Sequence, residues 1–226
     1  MVSPVHGRAW RTVAVRDESE SLKAEIGKLE PQAQRLFIAI SLPEVIKDEI
    51  ETAQGELRRA LPGDDLRWTK REQFHLTLKF LGNVSVNRTE ALIRSVQEAC
   101  ENHPAMRLCA GRIGFFPRLR SPRVIWAWVH DREDLLPKLQ SAIELAVRDF
   151  TTGAAEEKFT GHVTLGRAKN IGRPQAEILA KLAGGMSERF FGEWTASKIE
   201  IIRSQLSSDG ARYATLAVVA LAGTSH

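Results

Sequence analysis

Two tetrapeptides constrain this chain more than anything else in it: His75-Leu76-Thr77-Leu78 and His162-Val163-Thr164-Leu165, one pattern repeated 87 residues apart. Each sits in an alternating, strand-like run. Successive strand side chains point to opposite faces. His75 and Thr77 therefore project together, while Leu76 and Leu78 face a core. In the second run His162 and Thr164 share one face, and Val163 and Leu165 the other. With 6 histidines among 226 residues, a His-x-Thr match is uncommon by chance, and two in matching contexts point to a duplicated site. His6, His103, His130 and His226 lack that context and read as ordinary surface or packing residues.

A paired arrangement of this kind suits proton transfer. Imidazole titrates near 6.5, so close to neutral pH one ring can be neutral and its partner charged. A neutral ring takes a proton from a nucleophile while an imidazolium protonates a leaving group. Thr77 and Thr164 can donate hydrogen bonds to oxygens on which charge accumulates. This chemistry needs no metal and no cofactor. The two cysteines, Cys100 and Cys109, form no C-x-x-C pair, and no Cys/His cluster suggests zinc or a disulfide framework. No Gly-rich phosphate loop follows the first strand, which argues against a doubly wound parallel sheet.

Composition narrows the class further. Hydrophobic residues make up 43% and charged residues 27%, enough for a sizeable core. No apolar run approaches the roughly 20 residues that span a bilayer, and the N-terminus lacks the apolar region of a secretory signal. A cytoplasmic monomer with no membrane association is expected. The formal net charge of +4 is mildly basic, compatible with a phosphate-bearing substrate. Arg112, Arg118, Arg120 and Arg123 crowd one short stretch.

Residues 1–34 are charged and weakly helical, and read as a flexible or loosely docked extension. The folded domain is expected over 35–222, with 223–226 a tail. It opens on the apolar, β-branched run RLFIAISL. A helix follows Pro43, with apolar positions at Val45, Ile46, Ile50, Ala53 and Leu57. Further helices are predicted through TEALIRSVQEACEN, EDLLPKLQSAIELAVRDF and RPQAEILAKLAG. Strands are predicted at MRLCAGRIGFFP, RVIWAWV, ASKIEIIRSQLS and ARYATLAVVAL. Strands that come partly in hairpins and partly between helices indicate an α+β fold.

RLFIAISLP, W-T-x5-HLTLKFLG, PRVIWAWV, F-T-G-HVTLGRAK and a closing S-x-L-x4-ARYATL stretch, in this order and spacing, resemble the 2H phosphoesterases over about residues 34–222. The resemblance is to the RNA 2′,3′-cyclic phosphodiesterases, also called 2′-5′ RNA ligases. It implies a bilobal α+β fold, in which two pseudo-symmetric lobes with antiparallel sheets face a central cleft and helices lie outside. It also implies hydrolysis of an RNA terminal 2′,3′-cyclic phosphate to a 2′-phosphomonoester, with His75 as proton donor, His162 as proton acceptor, and Thr77 and Thr164 beside them. Exchanging donor and acceptor contradicts nothing in the sequence. Arg167 is expected to face the phosphate, and Phe74 and Phe159 are candidates for base stacking. Gly161 is expected to make the approach to His162 pliable. Alternatives at the same site are a small cyclic nucleotide such as ADP-ribose 1″,2″-cyclic phosphate, 2′-5′ joining of RNA ends, or RNA-end binding without turnover. A metal-dependent phosphodiesterase would need clustered Asp/His ligands, and none is evident.

Overall fold

The run RLFIAIS forms β1 (Ala33–Ser41), in which every residue from Leu36 to Ile40 is buried. Burial on both faces explains why its sequence is continuously apolar rather than alternating. This computed structural model describes residues 32–118, 121–151, 159–169, 171–207 and 210–222. Residues 1–31 of the expected 1–34 extension and the C-terminal tail lie outside the described residues; Ala33 and Gln34, counted with that extension, instead open β1, paired with Ser85 and Val84 of the neighbouring strand.

After Pro43, whose carbonyl accepts the N–H groups of Ile46 and Lys47, the chain enters α1 (Glu44–Ala60). This helix buries Ile46, Ile50, Ala53 and Leu57 along one stripe; Val45, expected among the apolar positions, is exposed. Then come β2 (Leu66–Trp68), β3 (His75–Ser85), α2 (Thr89–Cys100), β4 (Met106–Arg118), β5 (Ser121–Asp131) and α3 (Leu135–Val147). The chain ends with β6 (His162–Ala168), α4 (Arg173–Gly185), β7 (Phe190–Ala196), β8 (Lys198–Ser207) and β9 (Gly210–Ala220). Pro137 is tolerated in α3 because it falls in the first turn, where no intrahelical N–H bond is lost.

The nine strands make one sheet in the order β7-β4-β5-β6-β3-β1-β8-β9, with β2 added onto β6. All the strand pairings are antiparallel. The order reads outward from the middle in the same way on both sides: a motif strand (β3 or β6), the strand after which a helix leads into that motif (β1 or β5), then two more. The two lobes' sheets are thus continuous, joined where Leu76 pairs with Val163. The helices cover one sheet face: their buried side chains share a single core with Leu36, Ile38, Ile40, Leu76, Leu78, Val163 and Leu165. On the other face Phe37, Ala39 and Ile202 form a small separate cluster, and Phe37 lines an open cleft.

Both motif strands are interrupted at the same place. Ala39 pairs with Thr77 but Ile38 pairs with Lys79, so Leu78 is an extra residue in β3. Trp126 pairs with Thr164 but Ile125 pairs with Gly166, so Leu165 is extra in β6. A bulge resets the in–out alternation by one residue. Lys79 and Gly166 consequently turn into the protein (Lys79 is 3% exposed), while Phe80 and Arg167 come out on the cleft face. The buried carbonyl of Leu165 is satisfied twice, by the Thr69 N–H at 2.9 Å and the Gln54 side-chain amide at 2.8 Å.

Candidate active site

Each motif histidine is oriented by its own backbone. His75 Nδ1 lies 2.6 Å from the Gln73 carbonyl, and His162 Nδ1 lies 2.7 Å from the Thr160 carbonyl, two residues back in each case. A carbonyl only accepts, so both rings carry their proton on Nδ1 and leave Nε2 for chemistry. Aromatic walls hold the rings in place: His75 stands against Phe37 (4.8 Å between centroids) and edge-on to Tyr213 (5.5 Å). His162 stands edge-on to Phe116 at 5.1 Å, and Trp126 is 6.1 Å away.

The two rings meet in one cleft of about 480 Å³. His75, Thr77, His162, Thr164 and Arg167 all line it, joined by Arg35, Arg67 and Tyr213. Arg67 and Arg167 are cross-strand partners on β2 and β6. Three guanidinium groups and no carboxylate among the lining residues make this a site for an anion. Among the described residues no group of three or more His, Cys, Asp or Glu side chains could hold a metal ion.

The electrostatics follow from that setting. Burial pushes the His75 imidazole down from 6.5 to about 4, with His162 and Arg167 acting in the same direction and the Gln73 carbonyl opposing them. Burial also lowers His162, helped by Arg167 and resisted by the Thr160 carbonyl. Burial raises the Tyr213 phenol, against the pull of Arg167, Arg35 and Arg67. With no anion bound, both imidazoles are neutral at pH 7. An anion between them acts in the opposite direction, because its charge favours the imidazolium.

Two sequence expectations change. Phe74 does not reach the cleft: it is 2% exposed and belongs to the core beneath the sheet. Phe159 packs against the same core and borders a separate groove. The aromatic side chains in the cleft are Phe37, Trp68, Phe80 and Tyr213. Gly161 is not a point of slack either. A Cβ there would stand 2.4 Å from the Val129 carbonyl oxygen, and its own carbonyl accepts the Val129 N–H at 2.9 Å. Its small size permits a tight junction.

The family model described as LigT like Phosphoesterase matches residues 40–126. The RNA 2′,3′-cyclic phosphodiesterase of Thermotoga maritima is 33% identical over 137 residues, 60% of this chain and 70% of that protein. The protein of the same name from Methanothermobacter thermautotrophicus is 27% identical over 188 residues, 83% of this chain and 98% of that one. A crystal structure from Thermus thermophilus superposes with a TM-score of 0.68 at 24% identity, covering 84% of this chain and 98% of that one. E. coli LigT complexed with 3′-AMP gives 0.65 at 24% identity, covering 84% and 99%. These two share the fold, and the sequence relatives carry the assignment: the chain belongs to the LigT-like phosphoesterases of the 2H superfamily.

Proposed function

We propose that this protein hydrolyses the 2′,3′-cyclic phosphate at the end of an RNA strand to a 2′-phosphomonoester, by acid–base transfer between His75 and His162. The observation that carries the proposal is the matched fixing of the two rings. Both are held as Nδ1–H tautomers within a single arginine-lined cleft.

In this mechanism the cyclic phosphate lies between the two Nε2 atoms. Neutral His162 accepts a proton from water as its oxygen attacks phosphorus. The bond from phosphorus to the ribose 3′-oxygen breaks, and imidazolium His75 protonates that oxygen. The products are a 2′-phosphate and a free 3′-hydroxyl. His162 is left charged and His75 neutral, and exchange with solvent restores the starting pair. Both rings are held in the same tautomer, so donor and acceptor are assigned by motif order. Thr77 and Thr164 donate to the non-bridging oxygens, and Arg67 and Arg167 offset the developing charge. One chain supplies both motifs, so a monomer suffices. The free, buried Cys100 and Cys109 suit a reducing cytoplasm; no helix among the described residues is long and apolar enough to cross a membrane.

The test is an RNA oligonucleotide ending in a 2′,3′-cyclic phosphate, offered to the parent protein and to His75→Ala and His162→Ala in excess EDTA. Turnover to a 2′-phosphate is expected for the parent, with a loss of about 10²–10⁴-fold for each variant. A 3′-phosphate product would reverse the leaving group. Tight RNA binding without turnover would make the protein an end-binding module.

A further inference from the structure

We propose that a second groove, beside the catalytic cleft on β4 and β5, binds the penultimate nucleotide of single-stranded RNA, with Trp128, His130 and Arg112 as its stacking platform. The proposal rests on the RNA-end reading above and extends it to substrate length.

The groove has a volume of about 420 Å³, and these three residues, Trp126, Phe159 and Thr160 are among those that border it. It adjoins the proposed catalytic centre directly. Trp128 is the cross-strand partner of His162. Such partners share a sheet face one strand apart, about 4.8 Å, so the platform lies within the reach of a neighbouring nucleotide. The Thr160 carbonyl that orients His162 is part of the groove's edge.

Its surfaces suit a nucleobase. The Trp128 and His130 rings are stacked, 3.9 Å apart and within 12° of parallel. The Arg112 guanidinium lies 3.6 Å from the Trp128 ring centroid, which places it on the indole face opposite His130. The three groups form one stacked column, and a base meets its end groups, the exposed Arg112 and the half-buried His130. Planar aromatic and guanidinium groups are what proteins use to stack unpaired bases of single-stranded RNA, with little dependence on sequence.

Arg112 holds its place at a strained point. It is a bulged residue between Gly111 and Ile113 of β4, with φ of 29°, in the left-handed region that non-glycine residues rarely occupy. Its N–H donates to the Arg189 carbonyl at 2.7 Å, which fixes the bulge. Strain maintained to lay a cation over an exposed-face tryptophan is a functional signature. Of the two carboxylates on the groove, Asp131 accepts the N–H of Leu135 at the start of α3. Asp134 disfavours phosphate at that end, so the RNA backbone runs on the Arg112 side.

Steady-state kinetics of the full chain compare a nucleoside 2′,3′-cyclic monophosphate with a hexanucleotide ending in the same group. The variants are Arg112→Asn, which keeps a residue tolerant of positive φ, and Trp128→Leu. The ratio of hexamer to mononucleotide kcat/KM is expected to fall about 10-fold in each variant, through KM rather than kcat. A parallel titration of the hexamer bearing a terminal 2′-phosphate, read by fluorescence anisotropy, is expected to show the same loss of affinity. Ratios and affinities unchanged from the parent would overturn the groove assignment. If the parent turns over neither substrate, the cyclic-phosphate reading has failed, and the anisotropy comparison alone decides whether the groove binds RNA.

Discussion

Leu76 and Val163 are direct cross-strand partners, and theirs is the pairing that joins β3 to β6. Each follows a motif histidine by one residue, and each is fully buried. By the antiparallel register on either side of this pair, His75 lies opposite Thr164 and Thr77 opposite His162. The pseudo-symmetric site is therefore held together by two hydrophobic side chains facing away from it.

Leu76→Ala is expected to cost about 2–5 kcal/mol of stability through the cavity it opens. It should also lower kcat below that of an equally destabilising core change remote from the seam, such as Leu92→Ala, because the two motifs lose their common register. Thermal unfolding and kcat measured on both variants check this; equal kcat values would show that the seam only stabilises.

The lowered imidazoles make stability depend on pH in a defined window. His75 titrates near 4 in the folded protein and near 6.5 when unfolded. Above about 6.5 neither state holds the proton, and the ring contributes no penalty. Between about 6.5 and 4 the unfolded chain binds a proton that the folded chain refuses. Stability is therefore lost as pH falls, by roughly 3 kcal/mol over that window. Denaturant unfolding from pH 7 to 4 should show a shallower decline for His75→Gln than for the parent. Added inorganic phosphate should narrow the difference by raising the bound imidazole's pKa. Identical slopes would mean that His75 is not held neutral.

Arg167 acts on the same titration from outside. Its charge lowers both histidines, and its side chain lines the cleft. Arg167→Gln should raise KM by about 10–100-fold, the loss of one charge-assisted contact to a phosphate. The acid limb of the kcat/KM profile, which reports the free enzyme, should move to higher pH. A KM effect without a pH shift would place Arg167 too far from the rings to matter to them.

The motif strands, the helices and the facing of His75, Thr77, His162 and Thr164 were legible in the sequence because period-two alternation holds over those residues. It stops holding at Leu78 and Leu165. A bulge leaves no mark in an apolar run, so alternation alone would put Gly166, not Arg167, on the cleft face. Phe80, the counterpart of Arg167 in the first motif, escaped notice for that reason. Arg35, Arg67 and Tyr213 come from β1, β2 and β9, and only the assembled sheet brings them together. β7 was missed because Gly192, at φ of 129°, interrupts its pattern and Phe190 is exposed. His130, read as an ordinary residue, stacks on Trp128.

Gly161 offers a test of how the His162 ring is set. A Cβ at 2.4 Å from the Val129 carbonyl oxygen must displace backbone, and Thr160, whose carbonyl holds Nδ1, is the adjacent residue. Gly161→Ala is expected to lose about 1–3 kcal/mol from overpacking, and kcat should fall at least 10-fold as the ring loses its fixed tautomer. Full kcat in a destabilised variant would show that the carbonyl contact is dispensable.

The first bulge leaves a charge to be neutralised. Lys79 is turned beneath the sheet, where its Nζ donates to Glu144 of α3 at 2.5 Å. Glu144 also accepts from the buried Gln140. Because β3 carries His75 and α3 leads towards the His162 strand, this pair ties the two halves together under the seam. Removing one partner strands the other: Lys79→Met alone is expected to cost about 3–5 kcal/mol, whereas Lys79→Met with Glu144→Leu should recover most of that loss. The double-mutant cycle, run by urea unfolding at pH 7, isolates the coupling. If the single and double variants are equally unstable, the ion pair is incidental and the bulge is held by the apolar packing of Leu78 and Leu81 instead.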